Sequence, residues 1–221
     1  MRAGGPDRLL LLEHDPVYTI GRRGTTDHLL ASPRELRDAG ASVFRVDRGG
    51  DITFHGPGQL VGYPLVALGD RPDVTAYVRA IETALIVALA SYEVEARREA
   101  GKTGVWVDVD GRPAKVAAIG VRVSRGVSSH GFALNVDTDL AAFSRMIPCG
   151  FAHEVASLAR LGVRAAPLEV ARRCARELAA ALGRTLAWTE VVAPPRDDEI
   201  APDAPVRDAH DLLSEAVAGP S

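Results

Sequence analysis

Cys149 stands between Pro148 and Gly150, just past the end of a helix expected over residues 138–147. A turn of that kind exposes its side chains, and Gly150 lets another molecule's backbone or acyl group come close. A thiol so placed is a candidate nucleophile if a base or cation favours the thiolate. The alternative is a small buried hydrophobe. Cys174 fits that alternative, because it falls on the apolar stripe of a helix expected over 168–182, which stops at Gly183. Lys115 opens the run KVAAIGVRV after a tight turn, and Ala117, Ala118 and Gly120 leave space in front of it. Desolvation there would lower its pKa and let it exchange protons near neutrality. A solvated lysine at a hairpin end is the other reading. His55 and His130 are each followed by glycine, where a chain can approach something closely. Either imidazole could equally pin a loop, and so could Thr53 and Asn135.

The stretch RGGDITFHGPGQLVGYPL, from Arg48 to Leu65, sets these residues in an unusual frame. It packs five glycines and two prolines among Ile52, Phe54, Leu60, Val61, Tyr63 and Leu65. Its glycines fit neither the strand–GxGxxG–helix order of a dinucleotide site nor GxxxxGK[ST]. A glycine-bordered apolar groove fits better: backbone N–H groups to bind a carbonyl, with Phe54 and Leu60 as walls for a chain.

The elements that must position this groove can be read from periodicity. RLLLLEH (8–14) reads as a buried strand, and DPVYTIGRRG (15–24) turns. ASVFRVDRGGD (41–51) holds another strand. Residues 73–91 carry apolar side chains at helical spacing. EVEARRE alternates as a strand would. Residues 104–136 read as three antiparallel strands, with Asp110-Gly111 and Arg125-Gly126 as the hairpin turns. Helices mixed with antiparallel strands give an α/β (α+β) class with one main sheet.

The 221 residues suit one domain of generous size, and 47% apolar with 25% charged is globular composition. From Arg196 onward seven acids face two arginines, a balance of −5, which leaves +2 for the rest of a chain totalling −3. That is too little to argue for nucleic acid. No apolar run has the length of a membrane span, and the four-leucine run near the start is too short for a signal peptide. Two cysteines make no disulfide framework and no zinc spacing, which reads as a cytoplasmic protein. A catalytic domain is expected over 1–192 and an acidic, proline-rich, disordered tail over 193–221.

LLLLEHDPVYTIGRRG, RGGDITFHGPGQLVGYPL, GVWV, AKVAAIGVRVSRGVSSHGFALNV and IPCG, taken together, resemble the lipoyl(octanoyl) transferases, or octanoyl-acyl carrier protein:protein N-octanoyltransferases. The resemblance covers roughly residues 8–158. It implies the biotin/lipoate protein ligase fold, a single domain with a mixed sheet and flanking helices. It also implies octanoyl transfer from octanoyl-acyl carrier protein through a Cys149 thioester, with Lys115 lowering the thiol's pKa and moving protons. Substrate contacts carry over to Arg48, Gly49, Gly50, Asp51, Ile52, Thr53, Phe54 and His55, to Ala118, Ile119 and Gly120, and to Gly131, Phe132 and Ala133. The implied acceptors are lipoyl domains of 2-oxoacid dehydrogenases and the glycine cleavage H protein, and the implied enzyme is a monomer. A thioester is already activated, so neither cofactor nor metal is implied.

Family members usually carry a strand and helix ahead of LLLLEH, almost where this chain starts, and Ala156 stands where they usually have threonine before Ser157-Leu158. The rival readings are an ATP-dependent lipoate or biotin ligase of the same fold, and a non-catalytic homologue that grips a carrier or lipoyl domain. Cys149 and HGPGQLV argue against the first, and the retention of both Cys149 and Lys115 against the second.

Overall fold

The computed structural model describes residues 6–147 and 154–188. Cys149 and the acidic tail expected from residue 193 lie outside the described residues. Seven strands form the main sheet: β1 (Arg8–Leu12), β5 (Gln59–Leu65), β6 (Arg97–Glu99), β7 (Lys102–Val109), β8 (Arg112–Ser124), β9 (Val127–Asn135) and β10 (Glu154–Val155). Their order is β1-β5-β9-β8-β7-β6, and β10 joins β8. The pairs are antiparallel except β10–β8, which is parallel. The three strands expected over 104–136 are β7, β8 and β9. Asp110-Gly111 and Arg125-Gly126 turn between them with all four residues at positive φ, as such tight hairpins need.

A second sheet departs from the one-sheet expectation. β2 (Val17–Ile20), β3 (Ser42–Arg45) and β4 (Ile52–His55) pair in the order β3-β2-β4. β4 and β5 both come from the glycine-rich stretch. That stretch therefore contains two strands in different sheets, and HGPG is the link that crosses between them. The glycines hide this in the sequence, because they interrupt the alternation that marks a strand.

Helices α2 (Val74–Ala90) and α3 (Pro167–Ala181) cover one face of the main sheet. Tyr77, Ile81, Leu85 and Leu89 of α2 and Val170, Cys174 and Leu178 of α3 pack there with Val105, Val107, Val116, Phe132 and Leu134. The side chain of Asp73 caps α2 by accepting from the Ala76 amide at 2.8 Å. Helix α1 (Pro33–Asp38) starts in a capping box between Ser32 and Glu35. It packs Leu36 against Tyr18, Ile20, Val43, Ile52 and Phe54 in a second apolar cluster on the small sheet.

The helix expected over 138–147 is instead a 3-10 helix, Leu140–Arg145. Met146, which follows it, is extended. Met146 forms an antiparallel bridge with Leu29, the Arg145 carbonyl accepts from the Leu30 amide, and the Ile147 amide donates to the His28 carbonyl.

Candidate active site

The side of the main sheet away from α2 and α3 faces the small sheet, and strand alternation decides what it presents. On β9, Phe132 and Leu134 enter the main core, so Gly131, Ala133 and Asn135 face the other way. On β5, Leu60 enters the core, leaving Gln59, Val61 and Tyr63 on the cleft side. A bulge decides the register of β8. Trp106 pairs with Lys115 while Val105 pairs with Ala117, so Val116 is the extra residue. Val116 and Ala117 are both fully buried. The inserted residue puts Lys115 on the face of Ala118 and Gly120, which it would not share in an unbroken strand. Ala118 pairs with Ala133 and Gly120 with Gly131. The floor of the cleft is thus a patch of very small residues with Lys115 at one end.

The small sheet forms the opposite wall. Ile52 and Phe54 of β4 point into the second cluster, so Thr53 and His55 point to the cleft, with Thr19 of β2 paired to Thr53. The loop from Arg48 to Asp51 closes one end. Arg48 is buried and its guanidinium donates to the Thr19 side chain and carbonyl and to the Gly49 carbonyl. The Gly49 amide donates to the Val121 carbonyl at 3.0 Å. A Cβ on Gly120 would come within 2.8 Å of the Gly49 carbonyl oxygen, so this approach requires glycine.

The three blocks expected to contact substrate therefore meet, but their side chains divide. Arg48, Gly49, Gly50, Thr53, His55, Ala118, Gly120, Gly131 and Ala133 border the cleft. Ile52 and Phe54 pack in the second cluster, while Ile119 and Phe132, paired with each other, and Leu60 pack in the main core. Phe54 also lines a cavity of about 330 Å³ with Tyr18, Pro57 and Ala142 on the α1 side of the small sheet. The Asp51 carboxylate turns back to the Ile52 amide at 2.7 Å and to His28 Nδ1 at 2.6 Å.

Polar groups in the cleft are ordered by hydrogen bonds. Gln59 Nε2 donates to the Phe54 carbonyl and to Asn135 Oδ1, and Asn135 Nδ2 donates to the Ala156 carbonyl. Burial pushes His55 down to about 4, so its ring is neutral at physiological pH. His14 Nε2 lies 2.7 Å from Tyr63 Oη, and burial also lowers His14. His130, at φ 56°, holds Asp47, which Arg122 pairs as well. Its pKa is lowered by burial and then by the Arg48 and Arg122 charges. Such groups can orient an acyl carbonyl or a polar headgroup without adding charge.

Lys115 is half-buried, with Nζ 4.7 Å from the centre of the Trp106 ring. Val155 of β10 is its register partner, and the Ala156 amide donates to its carbonyl. Cys174 is buried in α3 and its thiol is pushed up to about 12 by burial, which makes it a poor nucleophile.

Residues 1–179 match the family model described as the lipoyl protein ligase A/B catalytic domain. An octanoyltransferase from Solibacter usitatus is 53% identical over 174 residues, covering 78% of this chain and 77% of its own length. One from Mycolicibacterium smegmatis is 51% identical over 184 residues, covering 81% and 78%. The chain belongs to the octanoyltransferase family. A bipartite lipoate protein ligase from Thermoplasma acidophilum has the same fold, with TM-score 0.71 and 20% identity over 85% of this chain and 76% of that one. A lipoate-protein ligase A bound with ATP gives TM-score 0.71 and 20% identity over 85% and 77%. The lipoate protein ligase fold expected from the resemblance is therefore the fold of this octanoyltransferase family member.

Sequence reasoning passed over several residues of the cleft. Trp106, Gln59, Thr19 and His14 lack any local motif that marks them as cleft residues, because a partner that places each one comes from another strand or loop: Lys115, Asn135, Arg48 and Tyr63. Gln59 offered a faint signal: a polar side chain between HGPG and LVGY, where an inward position needs a partner. Among the described residues no helix is long and apolar enough to cross a membrane, and no group of three or more His, Cys, Asp or Glu is placed to hold a metal ion.

Proposed function

We propose that this chain takes an octanoyl group from octanoyl-acyl carrier protein as a thioester on Cys149 and delivers it to a lysine of a lipoyl domain. Octanoyl transfer in lipoate biosynthesis follows from the family, and the donor, acyl-enzyme and acceptor are the finer reading. The Cys149 thiolate attacks the thioester carbonyl, and the carrier thiol leaves with a proton from the Lys115 ammonium. The amine of the acceptor lysine then attacks the Cys149 thioester. Neutral Lys115 accepts the amine's proton as the amide forms and the Cys149 thiolate is released. Backbone amides of the Arg48–Asp51 loop and the small-residue floor would hold the acyl carbonyl and chain. The 2-oxoacid dehydrogenases and the glycine cleavage H protein carry acceptors of the required kind, and a cytoplasmic monomer suffices for the chemistry.

One observation carries this reading. Lys115 stands at the end of a cleft floored by Ala118, Gly120, Gly131 and Ala133, and Val155, six residues after Cys149, is its neighbour. The test is mass measurement of the protein after mixing with octanoyl-carrier protein, without ATP. An octanoyl adduct on the Cys149 peptide, removed by hydroxylamine and discharged by a lipoyl domain, supports it. An adduct on Cys174, or transfer only from free octanoate with ATP, overturns it.

A further inference from the structure

Trp106 is fully buried, yet its strand neighbours Val105 and Val107 take the positions facing the main core. Alternation sends the indole to the cleft side of β7, in register with Lys115. Lys115 reaches that ring over Gly104. A Cβ on Gly104 would come within 3.4 Å of Lys115 Cε and 3.5 Å of Cδ, and within 2.6 Å of the Ala117 carbonyl oxygen. Gly104 has φ 121°, and its amide donates to Oε1 of the fully buried Glu82 at 3.1 Å. The lysine's methylene chain thus lies along bare backbone that α2 holds in place, and its ammonium ends over an aromatic face. Lys102, exposed and four residues before Trp106 on the same strand face, brings Nζ to 5.1 Å from the same ring centre.

We propose that Trp106, with Gly104 beside it, is a positioning residue that fixes where the Lys115 ammonium stands and favours its charged form during acyl transfer. This rests on the role given to Lys115 above. The face of an indole attracts a cation, and more strongly when water is displaced. Other charged groups of the packed elements are engaged elsewhere or compete for the ring. Arg97 of β6, in register with Trp106, pairs with Glu99 and Asp108. Glu82 of α2 holds Arg79, Arg98 and the Gly104 amide. Glu154 of β10 lies within 3.7 Å of Arg160. Lys102 is the like charge that opposes the effect.

The experiment follows the Lys115 side-chain resonances against pH by NMR in the full chain, for wild type, Trp106→Phe, Trp106→Leu and Trp106→Met. Loss of the aromatic face in Trp106→Leu should lower the Lys115 midpoint by about one pH unit. The same variant should slow octanoyl loading from octanoyl-carrier protein, the step that draws on the Lys115 ammonium, by about tenfold with KM within about twofold. Trp106→Phe, which keeps a ring, should recover most of both. Trp106→Met, which has no ring but a longer, more adaptable side chain, carries the test with the same expected fall in midpoint if Trp106→Leu does not fold. An unchanged Lys115 midpoint in the variants without a ring overturns the proposal, as does a changed KM with an unmoved midpoint. The NMR titration needs no acyl chemistry. A wild type that forms no Cys149 adduct therefore refutes the acyl-enzyme reading, whereas an unmoved midpoint refutes the Trp106 shelf.

Discussion

His55 donates its Nδ1–H to Gln59 Oε1 at 2.8 Å. The donor order is fixed by Gln59, whose Nε2 is committed to the Phe54 carbonyl and Asn135, leaving only its oxygen to face the ring. His55 is therefore a neutral tautomer with Nε2 as an acceptor. Its folded pKa is about 4 against 6.5 for a free imidazole, mainly through burial. The unfolded chain takes up this proton first as the pH falls. Stability is full above about pH 6.5 and declines toward pH 4. Between about pH 7.5 and pH 5 the loss from His55 alone should be about 2 kcal/mol. Urea unfolding at the two pH values measures it. His55→Asn should lose less stability than wild type over that interval, the remainder coming from His14 and His130. Equal losses in both proteins would refute the assignment.

Cys174 is 1% exposed on α3, and its thiol is pushed up to about 12. In native protein at neutral pH, iodoacetamide should label a peptide containing Cys149 and leave Cys174 unmodified until denaturant is added. Cys174→Ala should retain octanoyl loading and cost about 1 kcal/mol of stability through the small cavity it leaves. Native labelling of Cys174 at a rate like that of Cys149 would contradict the burial.

The sequence made some of this legible and hid the rest for physical reasons. Residues 73–91 repeat apolar side chains at helical spacing, and α2 is Val74–Ala90. Asp110-Gly111 and Arg125-Gly126 need positive φ, and both hairpins stand there. The small sheet was hidden because β2, β3 and β4 are four residues each, too short to display a period, and β2–β3 pair in parallel across 21 intervening residues. The face of Lys115 was hidden by the bulge at Val116. Counting by twos from Lys115 reaches Ala117, which is buried against the core, whereas the cleft residue is Ala118. Residue blocks were legible as motifs, but which side chains within them turn inward depended on pairings that only the fold supplies.

Gly120→Ala tests the contact between the Arg48–Asp51 loop and β8. The added methyl meets the Gly49 carbonyl oxygen at 2.8 Å and Arg48 Cδ at 3.2 Å, and the first of these is backbone that cannot rotate away. The loop must shift off the floor. Stability should fall by about 1–3 kcal/mol, and octanoyl transfer by about tenfold or more. Gly111→Ala is the comparison. It has φ 74° and nothing within 4 Å, so it strains the β7–β8 hairpin without touching the cleft. It should cost stability of about 1 kcal/mol while transfer stays within about twofold. Thermal melts and transfer rates on both variants measure this. Similar activity losses in the two would mean that Gly120 matters only for folding.

Lys115 and Cys149 are the pair on which the proposed mechanism depends, and they can be tested without the natural substrates. A free thiol titrates near pH 8.5 and is only a few per cent thiolate at neutrality, whereas an adjacent ammonium favours the thiolate. Alkylation of Cys149 by iodoacetamide should then have a midpoint below that of a free thiol in wild type. Lys115→Ala should raise this midpoint by about one pH unit or more. Lys115→Arg should restore part of the shift, because guanidinium keeps the charge. It should not restore transfer to the acceptor amine, because guanidinium gives up no proton in this range. Charge and proton exchange are thereby separated: one variant recovers the thiolate and still fails to turn over. If wild type, Lys115→Ala and Lys115→Arg share one alkylation midpoint, Lys115 does not act on the thiol, whatever the chain transfers.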